Sequence, residues 1–180
     1  MSTTSFFVFD TAIGPCGIAW REAGIVGSWL PDRDAAALRR RIVRRLPGAF
    51  ETRPTGEVRR AVDGVVALLS GEPADLSAAA LDWDGVPDFH RRVYALAREI
   101  PPGRTLSYGE IARRLGDPSQ ARAVGAALGA NPFPILVPCH RVLAANGRTG
   151  GFSAPGGVST KLRLLEIEGA RADAIPTLFG

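Results

Sequence analysis

Short apolar runs set off by turn residues predict β structure across residues 5–30. Phe6-Phe7-Val8-Phe9 and Gly17-Ile18-Ala19-Trp20 flank a turn at Ile13-Gly14-Pro15, and Gly24 to Leu30 adds a third strand. The period then lengthens. Over residues 34–46, Leu38, Ile42 and Leu46 recur at helical spacing beside Arg39, Arg40, Arg41, Arg44 and Arg45, which predicts a helix with a basic, solvated face. A second helix is expected over 55–69, before the breaker Gly71-Glu72-Pro73, and a short strand near 81–83 is expected to rejoin the first sheet. His90 opens a further helix over 88–100, with Phe89, Val93, Leu96, Ala97 and Ile100 as its apolar stripe and Pro101-Pro102-Gly103 as its stop.

Two short helices with clear punctuation follow. Ser107-Tyr108-Gly109-Glu110 has the form of a capping box, Leu115-Gly116 ends that helix, and Asp117-Pro118 supplies an N-cap and a first-turn proline for the next, which reaches about Gly129. The pair is a helix-turn-helix candidate. The second helix is built almost wholly from small residues, and Gly125 costs about 1 kcal/mol relative to alanine in a helix interior. Close approach of another surface, either a neighbouring helix or a nucleic-acid groove, would account for it. Asn131-Pro132-Phe133-Pro134 bends the chain, Asn146-Gly147 marks a turn, and residues 150–157 form a glycine-rich loop. Ser159 or Thr160 is expected to cap a last helix ending near Glu168-Gly169. The expected organisation is an α/β N-terminal domain over 1–85, with a small antiparallel sheet and helices, a mainly α C-terminal domain over 86–170, and a tail over 171–180.

Composition narrows the class. The 180 residues are 46% hydrophobic and 22% charged, as in a globular protein. No apolar run approaches the ~20 residues that span a bilayer, and Met1-Ser2-Thr3-Thr4-Ser5 lacks the basic region of a signal peptide, so a cytoplasmic location is expected. Two cysteines and two histidines, widely spaced, argue against a disulfide framework or a structural metal site. The net charge is +4, nearly all of it arginine, since Lys161 is the sole lysine. Arginine suits phosphate recognition, but an arginine-rich codon usage gives the same composition.

The chemistry concentrates at Val137-Pro138-Cys139-His140-Arg141-Val142-Leu143. Burying Cys, His and Arg between apolar flanks costs free energy unless each finds a partner. A free cysteine is most often a small core hydrophobe. Beside a histidine it can instead be a nucleophile, because the imidazole gives access to the thiolate.

Pro138-Cys139-His140-Arg141-Val142 resembles the active-site signature of the O6-alkylguanine-DNA alkyltransferases. Leu106-Ser107-Tyr108, Ala121-Arg122-Ala123-Val124-Gly125, Asn131-Pro132 and Glu168-Gly169 agree in order with other motifs of that family, and the similarity covers about residues 88–169. The resemblance implies a ribonuclease H-like first domain and single-turnover repair. An O6-alkylguanine, or O4-alkylthymine, is flipped out of duplex DNA and its alkyl group passes to Cys139, with no cofactor and no metal. It implies that His140 deprotonates Cys139 through a water, that Glu168 orients the imidazole, that Tyr108 donates to guanine N3 and that Asn131 braces the turn. It makes Arg122 the side chain that fills the vacated base position. Ala123, Gly125, Ala126, Gly129 and Arg141 are further DNA contacts, and Pro134, Val142, Phe152 and Ser153 border the substrate pocket. The partner is duplex DNA held through its minor groove by a monomer.

Two features depart from the family pattern. Phe152 replaces a usual tyrosine, and residues 153–157 make a slightly longer loop; both bear on which alkyl groups fit. Three other readings compete. A non-catalytic alkylated-DNA recognition protein would lack the nucleophile that Cys139 supplies. A helix-turn-helix regulator would need more polar side chains on its second helix. A cysteine hydrolase would turn over.

Overall fold

The computed structural model describes residues 2–170, so the expected tail over 171–180 lies outside the described residues. The chain forms two compact units. One takes in residues up to Asp84 together with Pro132–Leu136, and the other holds Gly85–Asn131 and the chain from Val137 onward.

The first unit is built on a sheet of order β3-β2-β1-β4. Strands β1 (Ser5–Thr11), β2 (Gly14–Arg21) and β3 (Gly24–Trp29) form an antiparallel meander. The sheet is nevertheless mixed rather than antiparallel, because β4 (Phe50–Glu51) pairs parallel to β1. Helix α1 (Ala35–Arg45) is the cause. It covers the sheet with Leu38 and Ile42 and returns the chain to the free edge of β1 in the same direction. Asp34 caps it by accepting from the Ala37 amide at 2.7 Å. Phe6, Val8, Ala19, Leu38 and Ile42 form the core between helix and sheet. A Cβ at Gly17 would lie 2.7 Å from Ile42 Cδ1, so glycine there lets α1 settle onto β2. Helix α2 (Gly56–Leu69) buries Ala61, Val62, Val65, Leu68 and Leu69.

The expected strand at 81–83 is reduced to one bridge, Ile25 to Leu81. The Ile25 amide donates to the Ala80 carbonyl at 2.9 Å, and the Asp82 amide donates to the Ile25 carbonyl at 2.8 Å. Asp82 then turns its carboxylate to Arg21, which also reaches Asp84 at 3.2 Å, and these side-chain demands draw the chain off the sheet edge. Pro132–Leu136 docks in the same unit. The Ser28 amide donates to the Pro132 carbonyl at 3.0 Å, its hydroxyl to the Pro134 carbonyl at 2.7 Å, and Phe133 packs edge-on to Trp83 with 5.8 Å between centroids.

In the second unit, α3 (Asp88–Arg98), α4 (Tyr108–Arg114), α5 (Ala121–Gly129) and α6 (Gly157–Ile167) surround a two-residue parallel ladder between β5 (Leu106–Ser107) and β6 (Val142–Leu143). The capping box of α4 forms in both directions, Glu110 N to Ser107 Oγ at 3.1 Å and Ser107 N to Glu110 Oε2 at 2.6 Å. Asp117 caps a separate turn of 3₁₀ helix over Pro118–Gln120, so α5 begins later than the spacing predicts. Neither Ser159 nor Thr160 caps α6. Gly156, in the left-handed region at φ 85°, holds that position, and the two hydroxyls donate back to the Gly156 and Pro155 carbonyls at 2.7 and 2.6 Å. His90 is half-buried, with its ring 6.0 Å from that of Tyr94. Tyr94, outside the predicted stripe of α3, is fully buried and donates its hydroxyl to the Ala127 carbonyl at 2.7 Å, in the last turn of α5.

Gly24 has φ 137°, and a Cβ there would sit 2.8 Å from the backbone oxygen of Ala80. Gly24→Ala combines backbone strain with a clash that no side-chain rotation relieves, and should cost about 2 kcal/mol. Urea unfolding monitored by tryptophan fluorescence measures it; an unchanged midpoint would show that β3 and the Leu81 segment are not locked together.

Candidate active site

Two short backbone features set the site. Pro138 turns the chain so that Cys139–Arg141 form one turn of 3₁₀ helix, with the Arg141 amide donating to the Pro138 carbonyl at 2.9 Å. The chain then enters β6, which pairs with β5 one residue before Tyr108. Ser107 is at once the last residue of β5 and the cap of α4, so the ladder fixes where the Tyr108 ring begins. Tyr108 and Cys139 thereby face the same cavity of about 440 Å³, lined also by Gly125, Leu128, Gly129, Gly151, Phe152 and Ser153. The loop comes close to the phenol, since a Cβ on Gly150 (φ 68°) would lie 2.4 Å from its oxygen.

Behind the thiol lies a buried ionic cluster. His140 Nε2 is 2.7 Å from Glu168 Oε1. Arg141 grips the same carboxylate with both arms of its fork, Nε to Oε2 at 2.9 Å and Nη2 to Oε1 at 2.7 Å, and its Nη1 donates to the Ile100 carbonyl at 2.6 Å. Burial alone would push Glu168 up, but the bonds and charges of His140 and Arg141 outweigh it and bring the carboxyl to about 2. Burial lowers His140 against the opposing pull of Glu168, so the ring is neutral. With Nε2–H donated to the carboxylate, the other nitrogen, Nδ1, is an acceptor; it is buried and bonded to no protein atom among the described residues.

Arg141 is therefore not a DNA contact. Only 6% exposed, it is spent on Glu168 and Ile100, because an acid this deeply buried needs a bidentate partner. Val142 is buried in β6 and does not line the cavity. Pro134 docks with the first unit through Ser28 and is absent from the lining as well. Asn131 donates from Nδ2 to the Val137 carbonyl at 2.9 Å, tying the end of α5 to the Cys139 turn. Ser153 lines the cavity with its hydroxyl donated to the Gly129 carbonyl at 3.0 Å.

Lys161 was not singled out as a site residue in the sequence. Its ammonium is fully buried, donates to the Val142 carbonyl at 2.7 Å and stands 5.8 Å from the centre of the Tyr108 ring. Burial lowers it to about 8, and the nearby Cys139 pulls the other way. Its one signal in the sequence was its isolation as the sole lysine in a chain that otherwise uses arginine. Burial raises the Cys139 thiol, while the Asn131 side chain and the Lys161 charge work to lower it. Cys16, the other cysteine, is buried in β2 and pushed up to about 12, an inert position.

The outer face of α5 is bare. Arg122, Ala123, Ala126 and Gly129 are exposed, and a Cβ on Gly125 or Gly129 would meet nothing within 4 Å. Packing inside the unit thus gives no reason for glycine at either position.

Residues 88–170 match the family model of the 6-O-methylguanine DNA methyltransferase DNA-binding domain. A methylated-DNA–protein-cysteine methyltransferase of Mycobacterium tuberculosis is 46% identical over 133 residues, 74% of this chain and 73% of that one. The chain belongs to the methylated-DNA–protein-cysteine methyltransferases. The crystal structure of Mycobacterium tuberculosis OGT in complex with DNA superposes with a TM-score of 0.75 at 34% identity, covering 94% of this chain and 96% of that one. A DNA base-flipping protein of Thermus thermophilus is 45% identical over 160 residues, 87% of this chain and 96% of its own. As a methylated-DNA–protein-cysteine methyltransferase, the chain repairs DNA by moving an alkyl group from the nucleic acid onto a cysteine.

The cluster predicts an acid limit to stability. Glu168 is depressed in the folded chain, so the stability it contributes is complete above its ordinary value of 4.5 and is lost as pH falls toward 2. The lowered His140 acts in the same sense below 6.5, since only the unfolded chain takes up its proton readily. Glu168→Gln should cost about 3 kcal/mol at neutral pH by leaving Arg141 buried and unpaired, and should flatten the loss between pH 4.5 and 2. Thermal melts across that range decide it; parallel wild-type and variant curves would contradict the assignment.

Proposed function

We propose that Cys139 is the acceptor, and that it takes the alkyl group of an O6-alkylguanine flipped out of duplex DNA into the cavity it shares with Tyr108. The observation that carries this is a cysteine on the wall of a cavity beside a buried, neutral imidazole whose open nitrogen has no protein partner. Because burial holds Cys139 up, the sulfur rests as a thiol and loses its proton as it attacks. The proton passes through one water to His140 Nδ1, and Glu168, ionised and bonded to Nε2, stabilises the imidazolium that forms. Sulfur bonds to the alkyl carbon as the bond from that carbon to O6 breaks, and guanine departs with the electron pair. Burial raises the Tyr108 phenol, so it stays protonated and can donate to guanine N3 as negative charge develops there. Lys161, by holding the Val142 carbonyl and placing positive charge near the sulfur, favours the thiolate along the way. The product is a thioether, so each molecule acts once. O4-alkylthymine presents the same leaving-group chemistry and is a second substrate.

The α4–α5 pair serves as a helix-turn-helix whose second helix lies in the minor groove. Support comes from the exposed small residues of α5 and from the empty space around Gly125 and Gly129, where side chains would obstruct an external surface and the cavity beside it. Arg122, exposed at the start of α5, fills the gap left by the flipped base. Phe152 brings no hydroxyl to the cavity and leaves that part of the wall apolar, which favours alkyl groups without polar atoms. The protein acts as a monomer in the cytoplasm. The Thermus relative matches 87% of this chain, but the thiol facing the cavity favours transfer over recognition alone.

Incubation with duplex DNA containing O6-methylguanine should add one methyl to the Cys139 peptide and saturate at one per chain. Cys139→Ala should bind the same DNA without any gain in mass. Methyl on another residue, or repeated turnover, would sink the proposal. A second expectation concerns α5. Gly125→Ala should stabilise the fold by about 0.5–1 kcal/mol through helix propensity alone, yet weaken binding to duplex DNA. Equal or tighter binding would remove α5 from the interface.

A further inference from the structure

The first unit carries its charge unevenly. Residues 1–84 hold ten arginines against eleven acidic residues, and five of the ten lie within α1, which has no acidic residue of its own. Elsewhere in that stretch acids outnumber arginines by eleven to five. Codon usage would scatter arginine; it would not gather half of it on one helix of eleven residues.

The pairing pattern sorts these arginines. Arg39 closes a two-armed bond with Glu51 at 2.8 and 3.0 Å, and Arg41 stands 3.7 Å from Asp32. Arg40, Arg44 and Arg45 are exposed, with no salt bridge or side-chain hydrogen bond among the described residues. Helical spacing places Arg40 and Arg44 one turn apart on the side opposite Leu38 and Ile42, and Arg45 about 100° further round the axis in the last turn. Like charges at that spacing repel. The helix dipole favours Arg44 and Arg45 in the last turn, but not Arg40 in the middle, whose charge acts on Asp34 at a distance without forming an ion pair among the described residues.

We infer that the outer face of α1 is a second DNA-contacting surface, on which Arg40, Arg44 and Arg45 engage backbone phosphates of duplex DNA without reading its sequence. This rests on DNA being the partner of the chain and not on any role of Cys139. The occupant is set by charge complementarity, since exposed guanidinium groups at Arg40 and Arg44 on the outer face, with Arg45 at the helix end, suit closely spaced phosphates. Val43, 43% exposed on the flank next to Arg40, adds an apolar contact that a sugar edge could cover. Contacts of this kind act through counterion release, so they govern binding to undamaged DNA and its dependence on salt.

The test is the affinity of the full chain for an undamaged duplex between 50 and 200 mM KCl. Each phosphate contact contributes roughly 0.9 to the slope of log K against log salt. In Arg40→Gln/Arg44→Gln/Arg45→Gln the slope should shrink by about 2–3, so wild type loses about 40-fold more affinity across the range than the variant does. Arg40→Lys/Arg44→Lys/Arg45→Lys should keep the wild-type slope. If the triple glutamine variant does not fold, Arg40→Gln alone should lower the slope by about 1. Methyl transfer from free O6-methylguanine base, which carries no phosphate, should proceed at the wild-type rate in every variant. A wild-type slope in the glutamine variants would overturn the inference. Loss of free-base transfer in the wild-type protein would instead count against the Cys139 reading and leave the α1 result standing.

Discussion

A carboxylate buried almost completely and still ionised is the constraint on which the second unit depends. Glu168 closes α6, and an isolated charge there would cost several kcal/mol. Arg141 meets it with two arms and spends the third on Ile100, which anchors the end of α3. His140 occupies what remains of the carboxylate, and that fixes its tautomer and its neutrality. Three consecutive residues thus have separate duties. Cys139 faces the cavity, His140 stands behind it, and Arg141 holds the acid that orients His140. Loss of the acid would loosen all three, because their short turn of 3₁₀ helix rests on few backbone bonds, among them Arg141 to Pro138 and Val142 to Cys139.

The opposite wall is set by equally local means. A ladder of two residues places Ser107 at the mouth of α4, and its capping box fixes the helix axis and so the Tyr108 ring. Tyr94 satisfies the Ala127 carbonyl at the end of α5, and Asn131 ties the following turn to Val137. Leu128 and Gly129 therefore reach the cavity from a helix end that is pinned twice. Ile135, at φ 72°, is the only residue other than glycine with positive φ among those described, and its strained backbone turns the chain just ahead of Val137. A buried site assembled from so many short pieces needs each cap and each tie in place.

Much of this could be read from the residues. The apolar flanks of Cys139 announced burial, Ser107 and Glu110 announced a helix start, and the spacing of Leu38 and Ile42 announced the sheet-facing side of α1. What could not be read depended on distant partners. That Arg141 faces inward is decided by Glu168, 27 residues away. The parallel pairing of β4 depends on where α1 delivers the chain, and no local pattern shows that. The burial of Lys161 depends on the Val142 carbonyl, 19 residues away, which no local pattern shows. Gly156 took the cap expected of Ser159 because its left-handed backbone starts the helix three residues sooner. The glycines of α5 allowed two explanations, and the sequence could not show that no neighbouring helix among the described residues fills the space beside them.

The central claim is that Glu168 holds His140 as a neutral ring with its proton on Nε2, leaving Nδ1 to receive the proton of Cys139. Nitrogen-15 NMR of the histidine rings across a pH series, assigned with His140→Gln, tests this most directly. The account predicts a His140 ring protonated only on Nε2 at neutral pH and still neutral well below its ordinary value of 6.5. A ring already cationic at neutral pH, or one protonated on Nδ1, would contradict it.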